Sequence, residues 1–476
     1  MEERESLKLP LFSIFFWRDM TKHLLTDTSY ASEERPLIGV VSNECEKVIT
    51  QILPKVRQAG GIAVLIPGLA DSTRLLSILY RCDGVILLQS ESDTSTQNQV
   101  TDAIIATLRL GVPTIVIGKV LDTLSIPYGF SDKSVQLTDL NTDYLIAGVP
   151  TINSLNDKVI HQLISQAQHY HVARDLHDSE VVLTGCTPTH RLIDPLGRPL
   201  HATLVDGGID YLCVTVVDGD QQSGHLCLTE KIEKAKRELR AKDNSIEIVS
   251  DLDDALSYQL TGSKAVILGL ETTETPLSQK QLSDLSALQI KYLSLRATSQ
   301  RTGRLSTPLS REEKKMIEQM NELGMTIDIS GCDAQSTREI LRISSQPVID
   351  TGVVCEKFAN HSSTLTRSDR ILQEITEAGG VLMLTLPGEA PDNNAQDLAK
   401  MVAHVEALCG YPHIGISTGL CTHRWSGVNT PAMLMQVTME LCRMGMPAFK
   451  IASILGRNVL DVLTDNETHL ERLSDD

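Results

Sequence analysis

The chain has 476 residues, 41% of them hydrophobic, and a formal net charge of −18. That length exceeds what one domain usually takes and predicts two. The acidic balance argues against a nucleic-acid or anionic-membrane binder, because phosphate surfaces repel it. The ten cysteines are scattered with no Cys-x-x-Cys pair, which predicts reduced thiols in a cytoplasmic protein and no structural zinc site. No apolar run reaches the roughly 18 residues of a membrane span, and the acidic start Met1-Glu-Glu-Arg-Glu is unlike a secretory signal.

Residues 1–34 form an N-terminal segment and linker. The run Leu9-Pro-Leu-Phe-Ser-Ile-Phe-Phe-Trp17 holds three of the six Phe and one of the two Trp. Such a cluster is costly to leave in water. Phe12 to Trp17 either packs on the protein's own second domain or a sister subunit, or docks another protein through aromatic anchors.

Residues 35–150 read as a doubly wound α/β domain. Expected strands are Leu37–Ser42, Ile62–Ile66, Gly84–Leu88 and Pro113–Ile117. Helices are expected at Glu46–Gln58, Ser72–Tyr80 and Asn98–Leu110. Strands alternating with helices imply a parallel sheet. Residues 151–180 bridge to the next unit, with a helix expected at Asn156–Tyr170. The histidines His169, His171 and His177 match no metal-ligand spacing and are expected to be solvated.

Residues 181–476 repeat the α/β alternation. Strands are expected at Val181–Leu183 or Arg191–Asp194, then Ile209–Val217, Ala265–Leu270, Ile290–Leu295, Met325–Ser330, Pro347–Asp350, Gly380–Thr385 and His413–Ser417. Helical patterns at Glu230–Ala241, Gln279–Leu288, Ser310–Leu323, Ser336–Ile343, Ser368–Ala378 and Asn394–Cys409 separate most of them. Eight strands over such a length predict a (β/α)8, or TIM, barrel.

Two resemblances sharpen this. The phrases Arg35-Pro-Leu-Ile-Gly39, Gln58-Ala-Gly-Gly-Ile-Ala-Val-Leu-Ile-Pro67 and Cys82-Asp-Gly-Val-Ile-Leu-Leu88 resemble class I glutamine amidotransferase domains of the γ-glutamyl hydrolase type. The resemblance places that family's nucleophile at Gly118, which has no side chain, and the downstream His-Pro-Glu is missing. A competing resemblance is to periplasmic-type sugar-sensor domains.

The second is carried by Gly324-Met-Thr-Ile-Asp-Ile-Ser-Gly331, Pro347-Val-Ile-Asp350 and Ile454-Leu-Gly-Arg-Asn-Val-Leu-Asp-Val-Leu463. These resemble the membrane (renal) dipeptidases, zinc enzymes on a (β/α)8 barrel. The family's Asp-Ile/Leu-Ser-His becomes Asp328-Ile-Ser-Gly331, and its Pro-Val-Ile-x-Ser-His places Gly352 at the second zinc-binding histidine. Its opening Asp-x-His-x-Asp-x-Pro, aligned with Asp194-Pro-Leu-Gly-Arg-Pro199, puts Leu196 and Arg198 at two further ligand positions. The bridging carboxylate survives as Glu271. Gly419 replaces a catalytic-region Asp, and Ser363 stands where the substrate-binding Arg would be.

What the resemblance implies is a barrel mouth with one remaining zinc-binding side chain, too few for the roughly three protein ligands of a catalytic zinc. Arg198 is expected to pair with Glu271 in place of a dication. By strand alternation Asp350 shares the inward direction of Gly352. With Cys421 it offers a substitute metal site, the alternative being a loop-exposed Asp350. The expectation is a pseudoenzyme that scaffolds, regulates or senses, with no cofactor, no nucleic-acid partner, and a homodimer as its assembly. The alternative is an active amide hydrolase, of dipeptidase or γ-glutamyl hydrolase type, with zinc or a metal-free site.

Overall fold

The computed structural model describes residues 35–42, 48–67, 79, 81–88, 103–104, 107, 110–117, 145–149, 155–188, 200–217, 227–242, 246–252, 258, 263–271, 276–295, 308–359, 366–386, 395–417 and 432–475. The segment Phe12 to Trp17 and the expected helix Ser72–Tyr80, save Leu79, lie outside them.

The N-terminal unit is a five-stranded sheet of β1 (Leu37–Ser42), β2 (Ile62–Pro67), β3 (Gly84–Leu88), β4 (Thr114–Ile117) and β5 (Leu145–Val149). Between β1 and β2 the chain coils through a π-turn at Val48–Ile52 into α1 (Leu53–Gln58), which Pro54 helps to start. Every pairing is parallel, and the strand order is β2-β1-β3-β4-β5. This is the flavodoxin-like doubly wound order. The Val- and Ile-rich strands β1, β3 and β4 are almost entirely buried, as strands covered on both faces are. Strand β5 is an addition to the four expected from the sequence pattern.

Helix α2 (Asp157–Ser179) continues nine residues beyond the expected Tyr170 and joins the two halves of the molecule. At 23 residues it is roughly 35 Å long. Asn156 caps it, accepting the Val159 N–H at 3.0 Å. Ile160, Leu163, Ile164 and Ala167 enter the N-terminal core. The sheet comes so close that a Cβ on Gly61 would meet Ile164 Cδ1 at 2.5 Å. Asp83, at the foot of β3, fixes the helix further: its carboxylate accepts the Leu37 N–H at 2.7 Å and pairs with Arg174 at 2.9 Å and His171 at 3.2 Å.

The C-terminal unit is a barrel. In chain order it runs β6 (Leu183–Pro188), α3 (Leu200–Asp206), β7 (Tyr211–Val217), α4 (Leu228–Lys242), β8 (Ile246–Ile248), β9 (Lys264–Glu271), α5 (Gln279–Ala287), β10 (Ile290–Ser294), α6 (Arg311–Glu322), β11 (Thr326–Asp328), α7 (Ala334–Ile343) and β12 (Ile349–Cys355). Then come β13 (Thr366–Arg367), α8 (Asp369–Glu377), β14 (Val381–Leu384), α9 (Ala395–Cys409), β15 (Ile414–Ile416), α10 (Ala432–Arg443), α11 (Ala448–Leu455) and α12 (Arg457–Asp475). The parallel path β6-β7-β9-β10-β11-β12-β14-β15 uses eight strands. Of the two alternatives for the first, the strand lies at Leu183–Pro188. Side chains close the ring: Thr184 Oγ1 donates to the Ile416 carbonyl at 3.1 Å, and Ser417 Oγ donates to the Gly185 carbonyl.

Alternation divides each strand between two cores. Leu183, Tyr211, Ile267, Tyr292, Ile349 and Met383 fill the barrel, while Leu212, Leu268, Leu293, Ile327 and Leu382 face the surrounding helices. Helix α12 covers the N-terminal end. Its Val459 and Leu463 join the inner core, and Asn466 donates at 3.0 Å to both Thr326 Oγ1 and the Pro347 carbonyl. Capping boxes at Ser278/Gln281 and Ser310/Glu313 start α5 and α6.

The expectation of solvated histidines fails at two positions. His171 is held by Asp83, and His177 is buried between the units. One His177 ring nitrogen faces the Gly208 carbonyl at 3.3 Å and the other Thr438 Oγ1 at 2.9 Å. Gly208 has φ +60, and a Cβ there would lie 2.9 Å from the ring, so the turn and the imidazole require each other.

Burial pushes the His177 pKa down from 6.5 to about 4. Between those values the unfolded chain binds the extra proton. The stability from this site is complete above the unfolded value and is lost as pH falls through the folded one, a decline of about 3 kcal/mol. Denaturant titrations across that window should show the wild type losing more stability than His177→Gln. Parallel losses in the two proteins would contradict this assignment.

Candidate functional site

Barrels of this kind place their chemistry at the C-terminal ends of the strands. Strand register sets three residues level there: Glu271 pairs with Ser294, and Ser294 with Asp328. Glu271 ends the inward series Ala265, Ile267, Gly269 on β9. Below it, the Tyr292 ring lies across Gly269, where a Cβ would come within 2.0 Å of it. The Tyr292 hydroxyl reaches Thr215 Oγ1 at 3.0 Å. Tyr292 is thus the floor of the mouth.

Asp328 is the hub of the rim. It is 2% exposed and accepts Ser294 Oγ at 2.5 Å, the Ser330 N–H and Oγ at 2.9 Å each, and the Thr351 N–H and Oγ1 at 3.2 and 2.8 Å. Burial raises its pKa, against the bond from Ser294, and the charge of Asp350 adds to the rise. A carboxylate has about four acceptor sites, so these donors occupy it and leave little for a metal.

The next strand corrects the expectation for Asp350. Thr351 is the residue turned toward Asp328, and Asp350 faces the other way. It is 1% exposed within β12, neither in a loop nor pointing into the mouth. Its partner is Arg367, whose Nε meets Asp350 Oδ2 at 2.7 Å. The guanidinium also donates to the carbonyls of Cys332 and Ile329 at 2.8 Å each. These two carbonyls bracket Ser330 and Gly331. Burial disfavours the Arg367 charge, but Asp350, with Cys332 and Asp328, outweighs it and holds the pKa above the ordinary arginine value.

Gly331 lies in the turn after β11, and Gly352 lies within β12 with open space where its Cβ would be. Leu196, Arg198, Ser363, Gly419 and Cys421, like Gly118 of the first unit, lie outside the described residues. Of the expected Arg198–Glu271 pair, only Glu271 is among them. Strand β6 ends at Pro188, ahead of Leu196 and Arg198, and the residues at its tip are Gly185-Cys186-Thr187-Pro188. Sequence reasoning missed both Asp328 and Arg367 as rim residues. Asp328 stands in the Asp-Ile-Ser phrase that carries the resemblance. Nothing local marks Arg367, whose partners lie 17 to 38 residues away in the chain.

The family model described as membrane dipeptidase (Peptidase family M19) matches residues 202–475. The chain belongs to the membrane dipeptidase family. Among curated relatives, dipeptidase verJ of Clonostachys rogersoniana is 26% identical over 257 residues, covering 48% of this chain and 66% of that protein. Dipeptidase aclJ of Aspergillus oryzae is 26% identical over 175 residues, covering 35% of this chain and 41% of that protein. The chain thus spans less than two thirds of the length of these relatives. Among solved structures, an amidohydrolase from Pseudomonas aeruginosa superposes with a TM-score of 0.53 at 18% identity, covering 62% of this chain and 98% of that one. The probable dipeptidase PvdM from the same organism gives 0.53 at 15%, covering 63% and 99%. These two likenesses show the shared barrel fold.

A membrane dipeptidase barrel implies zinc, and the described residues do not fit it. Glu271 is a carboxylate, Gly331 and Gly352 have no side-chain donor atoms, and Asp328 is committed to hydrogen bonds. Among the described residues no group of three His, Cys, Asp or Glu side chains could hold a metal ion.

Removing one partner of a buried ion pair leaves the other charge uncompensated. Arg367→Met or Asp350→Leu alone should therefore cost roughly 3–5 kcal/mol. The double variant Asp350→Leu/Arg367→Met should recover much of that loss. Denaturant midpoints of the four proteins test it; additive losses in the double variant would show that the two side chains act independently.

Proposed function

We propose that this membrane dipeptidase family barrel has kept its mouth as a binding site for a small amide or dipeptide-like molecule and has given up zinc-dependent hydrolysis. Its role is then non-catalytic: regulating or scaffolding a partner, or sensing a metabolite. The observation that carries this is the pair of glycines, Gly331 in the turn after β11 and Gly352 within the neighbouring β12, at the positions where the resemblance places zinc-binding histidines. A catalytic zinc needs about three protein donors, and without it no water is activated near neutral pH. The N-terminal sheet we read as an amidotransferase-like domain without its nucleophile, supported by its strand order and by Gly118.

The relatives support a second reading more directly: an active amide hydrolase of dipeptidase type. They are named dipeptidases, and two carboxylates, Glu271 and Asp328, remain level on the rim. Any further donors for this reading come from segments beyond the described residues, where His190, His361, Cys421 and His423 occur.

One experiment separates the two. Protein purified without chelator is assayed for bound zinc and for hydrolysis of a dipeptide panel. We expect substoichiometric zinc, no turnover above the buffer rate, and a melting temperature raised by at least one dipeptide. Stoichiometric zinc with turnover that a chelator abolishes establishes the hydrolase.

A further inference from the structure

Apart from the barrel mouth, the molecule has a cleft of about 280 Å³ at the joint between its two units, lined by Gln162, Gln166, His169, Gln396, Met439, Glu440 and Arg443. Three elements form it. Gln162, Gln166 and His169 lie at i, i+4 and i+7 of α2 and so share one face. Met439, Glu440 and Arg443 belong to α10, and Gln396 opens α9. The other face of α2 is apolar and committed to the N-terminal core. Toward its C-terminal end α2 meets α10 in direct contact, with His177 against Thr438 at 2.9 Å. One turn and more before that, the same side of the helix changes from contact residues to carboxamides, and the cleft opens.

The chemistry of the walls is specific. Met439 is an apolar floor, 2% exposed. Glu440 and Arg443 form an ion pair, with Arg443 Nη2 at 2.6 Å and Nε at 2.7 Å from Glu440 Oε2. The acid is 6% exposed and the base 52%. One negative and one positive group therefore stand side by side on the wall. Each carboxamide adds a donor and an acceptor. An apolar floor with a few convergent polar groups is the pattern of a small-molecule site, and this volume lies below the roughly 300–1,000 Å³ of drug-sized ones.

We infer that this cleft binds a free α-amino acid with a polar side chain. Such a zwitterion carries its ammonium and carboxylate on the same carbon, matching the adjacent charges of Glu440 and Arg443. The carboxamides and His169 then hydrogen-bond the polar side chain. Because α2 packs on the N-terminal sheet and α10 on the barrel, an occupant touches both units. This site is separate from the barrel mouth and stands whether or not the mouth hydrolyses anything.

The test is calorimetric titration of the full chain with L-glutamine and L-glutamate, beside L-glutamine with its α-carboxylate amidated. Saturable binding is expected for at least one free amino acid, with the amidated compound weaker by about tenfold or more, the loss of one charge-assisted contact. Arg443→Met and, separately, Gln166→Leu should each weaken binding by a similar factor, and urea unfolding checks that each variant is folded. Gln166→Leu is the variant to rely on if Arg443→Met fails to fold. Absence of saturable binding by either amino acid, equal binding of the amidated compound, or binding unchanged in a folded variant overturns the proposal.

Discussion

A buried carboxylate has to be supplied with hydrogen-bond donors, and Asp328 draws them from the two neighbouring strands and from the turn after its own. Ser294 comes from β10, Ser330 from the turn after β11, and Thr351 from β12. The strand tips are thereby fixed in height relative to one another. On the other side of the same sheet, Arg367 does the converse, a buried cation supplied with acceptors: Asp350 and the carbonyls of Ile329 and Cys332. The turn that carries Gly331 is held between a buried anion and a buried cation, on opposite faces of the strand layer.

This arrangement bears on how the barrel mouth can work. In a metal-bound site the ligands are oriented by the ion and by the groups behind them. Here the turn at Ser330 and Gly331 is oriented by side chains already satisfied within the protein. The serine and threonine hydroxyls that Asp328 gathers are polar but uncharged, and Tyr292 forms a flat floor beneath them.

Much of the fold is legible in the sequence because it depends on short-range patterns. Strands at Leu37–Ser42 and Gly84–Leu88 have the expected boundaries. Helices α5 to α9 begin and end within a residue or two of their apolar periodicity, and Ser278, Ser310 and Asp333 mark the starts of the first three. The residues that organise the rim are not legible in the same way. Asp350 reads as an inward or exposed acid under strict alternation, yet the register of β12 against β14 shifts between Asp350 and Val353, and its partner arrives from beyond the next loop. His177 reads as one more polar residue in a polar helix. Its burial comes from where α10 and the Gly208 turn happen to meet it, which is tertiary information.

The same limit explains why the first strand reads ambiguously. Val181 to Leu183 is apolar, but the next five residues, Thr184-Gly-Cys-Thr-Pro188, have the composition of a loop. They form a strand by pairing with β7, from Leu183 against Tyr211 to Pro188 against Thr215. Thr184 and Gly185 give β15 its closing contacts through the Ile416 carbonyl and the Ser417 hydroxyl. These side-chain bonds bring together the two end strands of the eight-stranded parallel path. A segment with weak strand propensity is thus drafted into the sheet by topology.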